Sequence, residues 1–161
     1  VFIGVFVANV LTIERMTALQ ARGVKTISTT DDDVELPEDQ QALLDQAAGR
    51  LLLFQLTGPM IFGVAKTISR EHNAIEDCEA VLFDLTEVSH LGVTASLALE
   101  NAIKEAVEVG RSVYLVVMNG STRNRLEKLK LLELLPENHV SEDREEILRR
   151  AVGELPVLQE V

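Results

Sequence analysis

The chain is poor in the residues that staple or decorate small domains. Its 161 residues include one cysteine, no tryptophan and one tyrosine. A single Cys78 excludes an internal disulfide framework and suits a reducing compartment. With Trp absent and Tyr single, material for stacking nucleic-acid bases is scarce. Cations are in deficit as well: 15 Lys and Arg face 26 Asp and Glu, a formal net charge of −11. Duplex phosphates would repel such a chain, so nucleic acid is not an expected partner. The sequence also lacks the strings that announce common chemistries. It has no GxGxxG, no GxxxxGK[ST] and no GxSxG, which removes the usual markers of dinucleotide sites, P-loops and nucleophile elbows. His72, His90 and His139 are scattered, with no second His or Cys three or four residues away. No metal site, cofactor or catalytic residue is therefore expected, and the chain does not read as an enzyme.

What is present is 47% apolar residues, enough for one ordinary domain that buries roughly two thirds of its unfolded surface. Residues 1–13, VFIGVFVANVLTI, carry no charge. They are too short to cross a bilayer alone, since a span takes ~20 residues. No basic leader precedes them, so a secretory signal is not expected. Arg15, Arg22 and Lys25 follow with one acid, Glu14, which is the pattern at the cytoplasmic end of a membrane helix. The expectation is the end of such a helix; a buried N-terminal helix or strand is the other reading. Residues 31–45 hold seven acids, among them three consecutive aspartates. This spacing does not fit a calcium loop and reads as a solvated segment leading into a short helix, with Pro37 in its first turn and Gly49 past its end.

Three apolar runs organise the body, at residues 51–56, 80–85 and 112–118. Runs that are apolar on both faces predict strands covered from both sides. Ala95, Leu99, Ala102, Ile103 and Ala106 recur at helical spacing, and Gly110 supplies a stop. Residues 60–75 form a weaker helical pattern. Residues 121–135 predict one helix with Leu126, Leu129, Leu132 and Leu135 on its inner face. Ser141 is expected to cap a last helix carrying Ile147, Leu148 and Ala151, with Glu142 and Asp143 at its positive end. Residues 24–28 add an outer strand. Alternating strands and helices predict an α/β sandwich with crossover connections.

In such sheets ligands gather beyond the carboxyl ends of the strands. The stretch VLFDLTEVSHLGVTASLAL, residues 81–99, holds the richest of these ends. A strand is expected to end at Asp84, a short turn to follow, and a helix to start near Val93 or Thr94. Backbone N–H groups there would favour an anion or a phosphorylated hydroxyl, and Thr94 is best placed to carry it. Asp84 also suits a phosphate-accepting receiver domain, but the acidic pair and the lysine that such a domain needs are not at the right strand ends. A second loop, Asn119, Gly120 and Ser121, is a candidate nucleotide-facing turn.

Residues 81–99 resemble the pattern of STAS domains, the fold shared by bacterial anti-sigma-factor antagonists and the cytoplasmic tails of SulP-type anion transporters. Asp84, Leu85, Thr86 and Val88 match the family's strand end. Gly92 stands where the family has an aspartate, Val93 and Thr94 at its two serines, and Ala95 at its glycine. The run Leu53 to Gly63, LFQLTGPMIFG, is similar to the strand and G-P-hydrophobic-aromatic pattern of SulP tails. The resemblance covers about residues 50–153 and implies a mixed β-sheet with helices packed on it. It divides the chain into the end of a last transmembrane helix and linker (1–16), an N-terminal strand, acidic loop and short helix (17–49), and the STAS core (50–161). It implies a non-catalytic regulatory and dimerisation domain at the cytoplasmic face of the cell membrane. Its partners would be its own transmembrane domain and a second copy, and the upstream helices would carry sodium-coupled bicarbonate uptake. Asp84, Thr86, Ser89, Gly92 and Thr94 would form the regulatory loop. A free-standing antagonist acting by partner switching, and a nucleotide-binding sensor, are the alternatives. Gly92 in place of the aspartate counts against the former.

Overall fold

The computed structural model describes residues 24–27, 36–60 and 78–156, with the backbone alone described at 24–27, 59 and 60. The apolar block 1–13, the acids at 31–35, His72 and all but the first residue of the 60–75 pattern lie outside the described residues. The elements are β1 (Val24–Ile27), α1 (Glu38–Ala47), β2 (Leu51–Met60), β3 (Ala80–Leu91), α2 (Val93–Glu108), β4 (Ser112–Val116), α3 (Ser121–Lys128), β5 (Val140–Ser141) and α4 (Arg144–Glu154). Two short 3₁₀ turns, Leu132–Leu134 and Glu137–His139, join α3 to β5.

The strands form one five-stranded sheet in the order β1-β2-β3-β4-β5. β1 runs antiparallel to β2, and every later neighbour is parallel. Leu51, Ala80 and Ser112 lie in register across the three central strands. Side chains alternate across a strand, so each central strand feeds two cores. Leu52, Phe54, Val81, Phe83, Val113 and Leu115 face the helices α2 and α3, where they meet Leu99, Ile103 and Leu126. The Phe54 and Phe83 rings stack in this layer at 5.4 Å between centroids. Leu51, Leu53, Leu82, Tyr114 and Val116 face the other way, against Leu44 of α1 and Ile147, Leu148 and Ala151 of α4. Helices on both faces explain why the strands are continuously apolar.

Four expectations change. β3 does not end at Asp84 but continues to Leu91, because β2 also runs on to Met60 and stays paired through register shifts around Thr57. β4 pairs with β3 only as far as Asp84, so the outer half of β3 pairs only with β2 among the described residues and exposes Thr86, Glu87, Ser89 and His90. The helix expected over 121–135 stops at Lys128. A leucine every three residues is not an α-helical period; Lys130 turns the chain at φ +57°, and beyond Leu126 the buried leucines are Leu131 and Leu135, while Leu129 is exposed. Ser141 lies in β5, and the cap of α4 is Asp143, whose carboxylate accepts from the N–H groups of Glu145 and Glu146. Pro37 precedes α1 as its cap residue instead of entering its first turn; Gly49 does lie just past the helix end, after Ala48 in the left-handed conformation.

A buried carboxylate at the strand end and the turns around it

Asp84 has the same parity as Ala80 and Leu82, so its side chain leaves β3 on the α1/α4 face at the carboxyl end of the paired region. The residue is 1% exposed. A charge removed from water must be matched by donors, and Asp84 has three. Its Oδ1 accepts from the Thr86 N–H at 2.9 Å and from the Thr86 hydroxyl at 2.5 Å. Its Oδ2 accepts from Arg144 Nη1 at 2.9 Å. Arg144 opens α4, and its Nε donates to Gln40 Oε1 of α1 at 2.7 Å. One carboxylate thus ties β3, α4 and, through the guanidinium, α1. Gln40, Thr86, Glu87, Glu142, Asp143 and Arg144 line a cleft of about 320 Å³ beside it. Three acidic side chains, Glu87, Glu142 and Asp143, border that cleft while its one guanidinium is already engaged by Asp84, so its electrostatics disfavour an anion.

The other candidates divide into two places. Gly92 precedes α2 in extended conformation, and its carbonyl accepts from both the N–H and the hydroxyl of Ser96. Thr94 is exposed in the first turn of α2, which has neither a side-chain cap nor an acid. Ser89 is exposed on the outer half of β3. Its carbonyl accepts from the Ser121 hydroxyl at 3.5 Å, and the buried Thr122 hydroxyl donates to the Val88 carbonyl at 2.9 Å. Those bonds pin the turn Asn119, Gly120, Ser121 against β3. Gly120 sits at φ +151°, ψ −160°, which a side chain would strain. The geometry therefore joins Asp84 with Thr86, joins Ser89 with Ser121, and leaves the Thr94 side chain outside both sets of bonds.

Arg144 and Gln40 escaped the sequence reading because they lie 60 residues from Asp84 and 104 residues from each other, respectively. One signal was available. A cation at the first position of a helix opposes the dipole, so Arg144 directly after the Asp143 cap needed an acceptor elsewhere. Among the described residues, no group of three or more His, Cys, Asp or Glu is placed to hold a metal, and no helix is long and apolar enough to cross a membrane.

Comparison with known proteins places this architecture. Residues 43–147 match the STAS domain family. The bicarbonate transporter BicA of Synechocystis sp. is 59% identical over 150 residues, which is 93% of this chain and 27% of the transporter. BicA of Picosynechococcus sp. is also 59% identical over 150 residues, covering 26% of its length. The chain thus spans about a quarter of the curated relatives it matches. Among solved structures, the SulP transporter STAS domain of Vibrio cholerae aligns with TM-score 0.63 at 24% identity, over 74% of this chain and 98% of that one. A sulfate transporter family protein of Wolinella succinogenes aligns with TM-score 0.59 at 19% identity, over 77% and 93% of the two chains. At these identities the two structures speak for the fold alone. The family match spans most of the sheet and both helical layers, and on it the chain belongs to the STAS domain family.

Proposed function

We propose that this domain is the cytoplasmic regulatory and dimerisation module of a SulP-type membrane anion transporter, with bicarbonate as the transported ion and sodium as the coupling ion. The observation that carries the reading is the 59% identity, sustained over 93% of this chain, to two bicarbonate transporters. The basic residues after the apolar block 1–13 support a position just inside the membrane. In this reading residues 1–16 continue from a last membrane helix, 17–49 lead into the domain, and 50–161 form its core. The domain joins two transporter protomers through a twofold contact between like surfaces. Val93 and Leu97 on α2 expose apolar side chains suited to such a contact. The segment holding Asp84, Thr86, Ser89, Gly92 and Thr94 transmits regulation only insofar as a ligand or modification there favours one arrangement of the protomers over another.

The test is an immunoblot of membrane and soluble fractions from native cells, with an antibody raised against residues 36–156. The expected band lies in the membrane fraction and corresponds to a chain about three and a half times as long as this one, as 150 residues at 27% coverage imply. A soluble band near 17.7 kDa would refute the reading and favour a free-standing partner-switch protein. Sedimentation of the purified chain tests dimerisation separately; a species that stays monomeric as concentration rises refutes it.

A further inference from the structure

A second cleft lies on the other side of β3, away from the Asp84 network. His90 and Leu91 at the end of β3 form one wall, and Ser121, Asn124, Arg125 and Lys128 of α3 form the other, enclosing about 320 Å³. The four α3 residues follow at offsets of 0, 3, 4 and 7, so they share one face of the helix.

The state of the two cations makes this cleft unusual in so acidic a chain. Arg50, Lys104, Arg123, Arg144, Arg149 and Arg150 each pair with a carboxylate. Acids outnumber bases by 26 to 15, so a partner is easily found. Arg125 and Lys128 have none among the described residues. The Nε of Arg125 is shielded from water and meets no acceptor. A buried donor without an acceptor is costly and asks for an explanation. Proximity to the carboxyl end of α3 accounts for a favourable charge at these positions; it does not account for the unmet Nε–H or for the neighbouring neutral donors. Asn124 offers an amide beside the two cations, and the Ser121 hydroxyl, held by the Ser89 carbonyl only at a long 3.5 Å, can exchange that bond for a stronger one to an anion. Two fixed positive charges flanked by two neutral donors match the charge and acceptor number of a phosphate group.

We propose that this cleft binds a small phosphate-bearing anion, with Arg125 and Lys128 supplying the charge and Ser121 and Asn124 orienting the oxygens. Leu91 provides an apolar wall for whatever carries the phosphate. The site is separate from the Asp84 network and does not depend on the transporter reading.

The test is a titration of the isotopically labelled full chain with inorganic phosphate, and separately with glycerol phosphate, followed by amide and arginine Nε–H resonances. Saturable shifts are expected at Ser121, Asn124, Arg125 and Lys128, with none from chloride at equal ionic strength. Arg125→Gln, and independently the exposed Lys128→Gln, should each weaken binding by at least ~10-fold, equivalent to ~1.4 kcal/mol, with folding verified by the unchanged remainder of the spectrum. Tighter binding of glycerol phosphate than of inorganic phosphate would support a phosphate monoester as the ligand; equal binding would support the free ion. Shifts that do not saturate, that Lys128→Gln leaves intact, or that bicarbonate produces while phosphate does not, would overturn the proposal.

Discussion

Replacing Arg144 by Met keeps the side-chain stem and removes the guanidinium that Asp84 depends on. Asp84 is 1% exposed, while the Arg144 side chain is 23% exposed. The acid therefore has no route to water, whereas the base already has a partial one. Stripping the partner from a fully buried ion pair costs about 3–5 kcal/mol. Here Asp84 keeps both bonds from Thr86, so the expected loss is nearer to one charged hydrogen bond, ~2–3 kcal/mol. Gln40 loses its donor at the same time. For a chain of this size, each kcal/mol moves the melting temperature by ~2–4 °C, so Arg144→Met should melt about 4–12 °C lower.

Asp84→Asn should cost less, ~1–2 kcal/mol, because the orphaned Arg144 can turn to solvent while the Asn oxygen still receives Thr86. A double-mutant cycle by urea denaturation reads the coupling. Arg144→Met combined with Asp84→Asn should be less damaging than the sum of the two by at least ~1 kcal/mol. Additivity within ~0.3–0.5 kcal/mol would show that the two charges do not depend on each other. It would refute the reasoning that the carboxylate locks β3 to α4.

The remaining expectations concern single elements. Asp143→Ala removes the cap that holds the Glu145 and Glu146 N–H groups and should cost about 1 kcal/mol, with Asp143→Asn nearly neutral, by thermal melting. Gly120→Ala should cost ~1–3 kcal/mol from backbone strain alone, since an added Cβ at φ +151° meets nothing within 4 Å. Tyr114 is buried and donates to Glu154 Oε2 at 2.6 Å; burial first, then that bond and charge, push its ionisation above the ordinary range. The native state thus holds the phenol neutral, so this contribution is fully present below pH ~10, where the unfolded phenol ionises, and is lost above it. Urea midpoints should fall on that alkaline side, and Tyr114→Phe should remove that part of the fall.

The sheet was legible because its determinants are local. The apolar runs at 51–56, 80–85 and 112–118 need only their own composition to read as doubly covered strands, and residues 95–106 of α2 show an unmistakable helical stripe. The outer half of β3 was not legible. In residues 86–91 two exposed polar residues precede each buried one, a period of three that does not read as a strand, and they stay extended because β2 runs alongside them. The break after Lys128 was hidden for a similar reason: the leucines at 126, 129, 132 and 135 suggest a stripe, but burial of Leu131 and Leu135 against the α2 layer decides the path. At the site, Asp84 and Thr86 were visible as neighbours in sequence. What makes Asp84 tolerable in the interior is Arg144, and that is a property of the fold.

Thr94 tests whether the start of α2 behaves as an electrostatic end. Its first turn contains no acid and Gly92 offers no side-chain cap, so the leading N–H groups have no charged acceptor. A negative charge at this exposed position should be stabilising by ~0.3–1 kcal/mol. Thr94→Asp is therefore expected to raise the melting temperature by ~1–4 °C at low salt, and Thr94→Asn, which adds no charge, by less. Salt near ~1 M shortens the screening length to ~3 Å and should erase most of the difference between Asp and Asn. If Asp and Asn are indistinguishable at low salt, the dipole at this helix start is already neutralised by groups not bonded to it, and Thr94 has no electrostatic reason to carry a phosphate. If they differ and the difference survives high salt, the Asp side chain is acting as a local hydrogen-bond acceptor, and the stabilisation belongs to capping geometry instead of to charge.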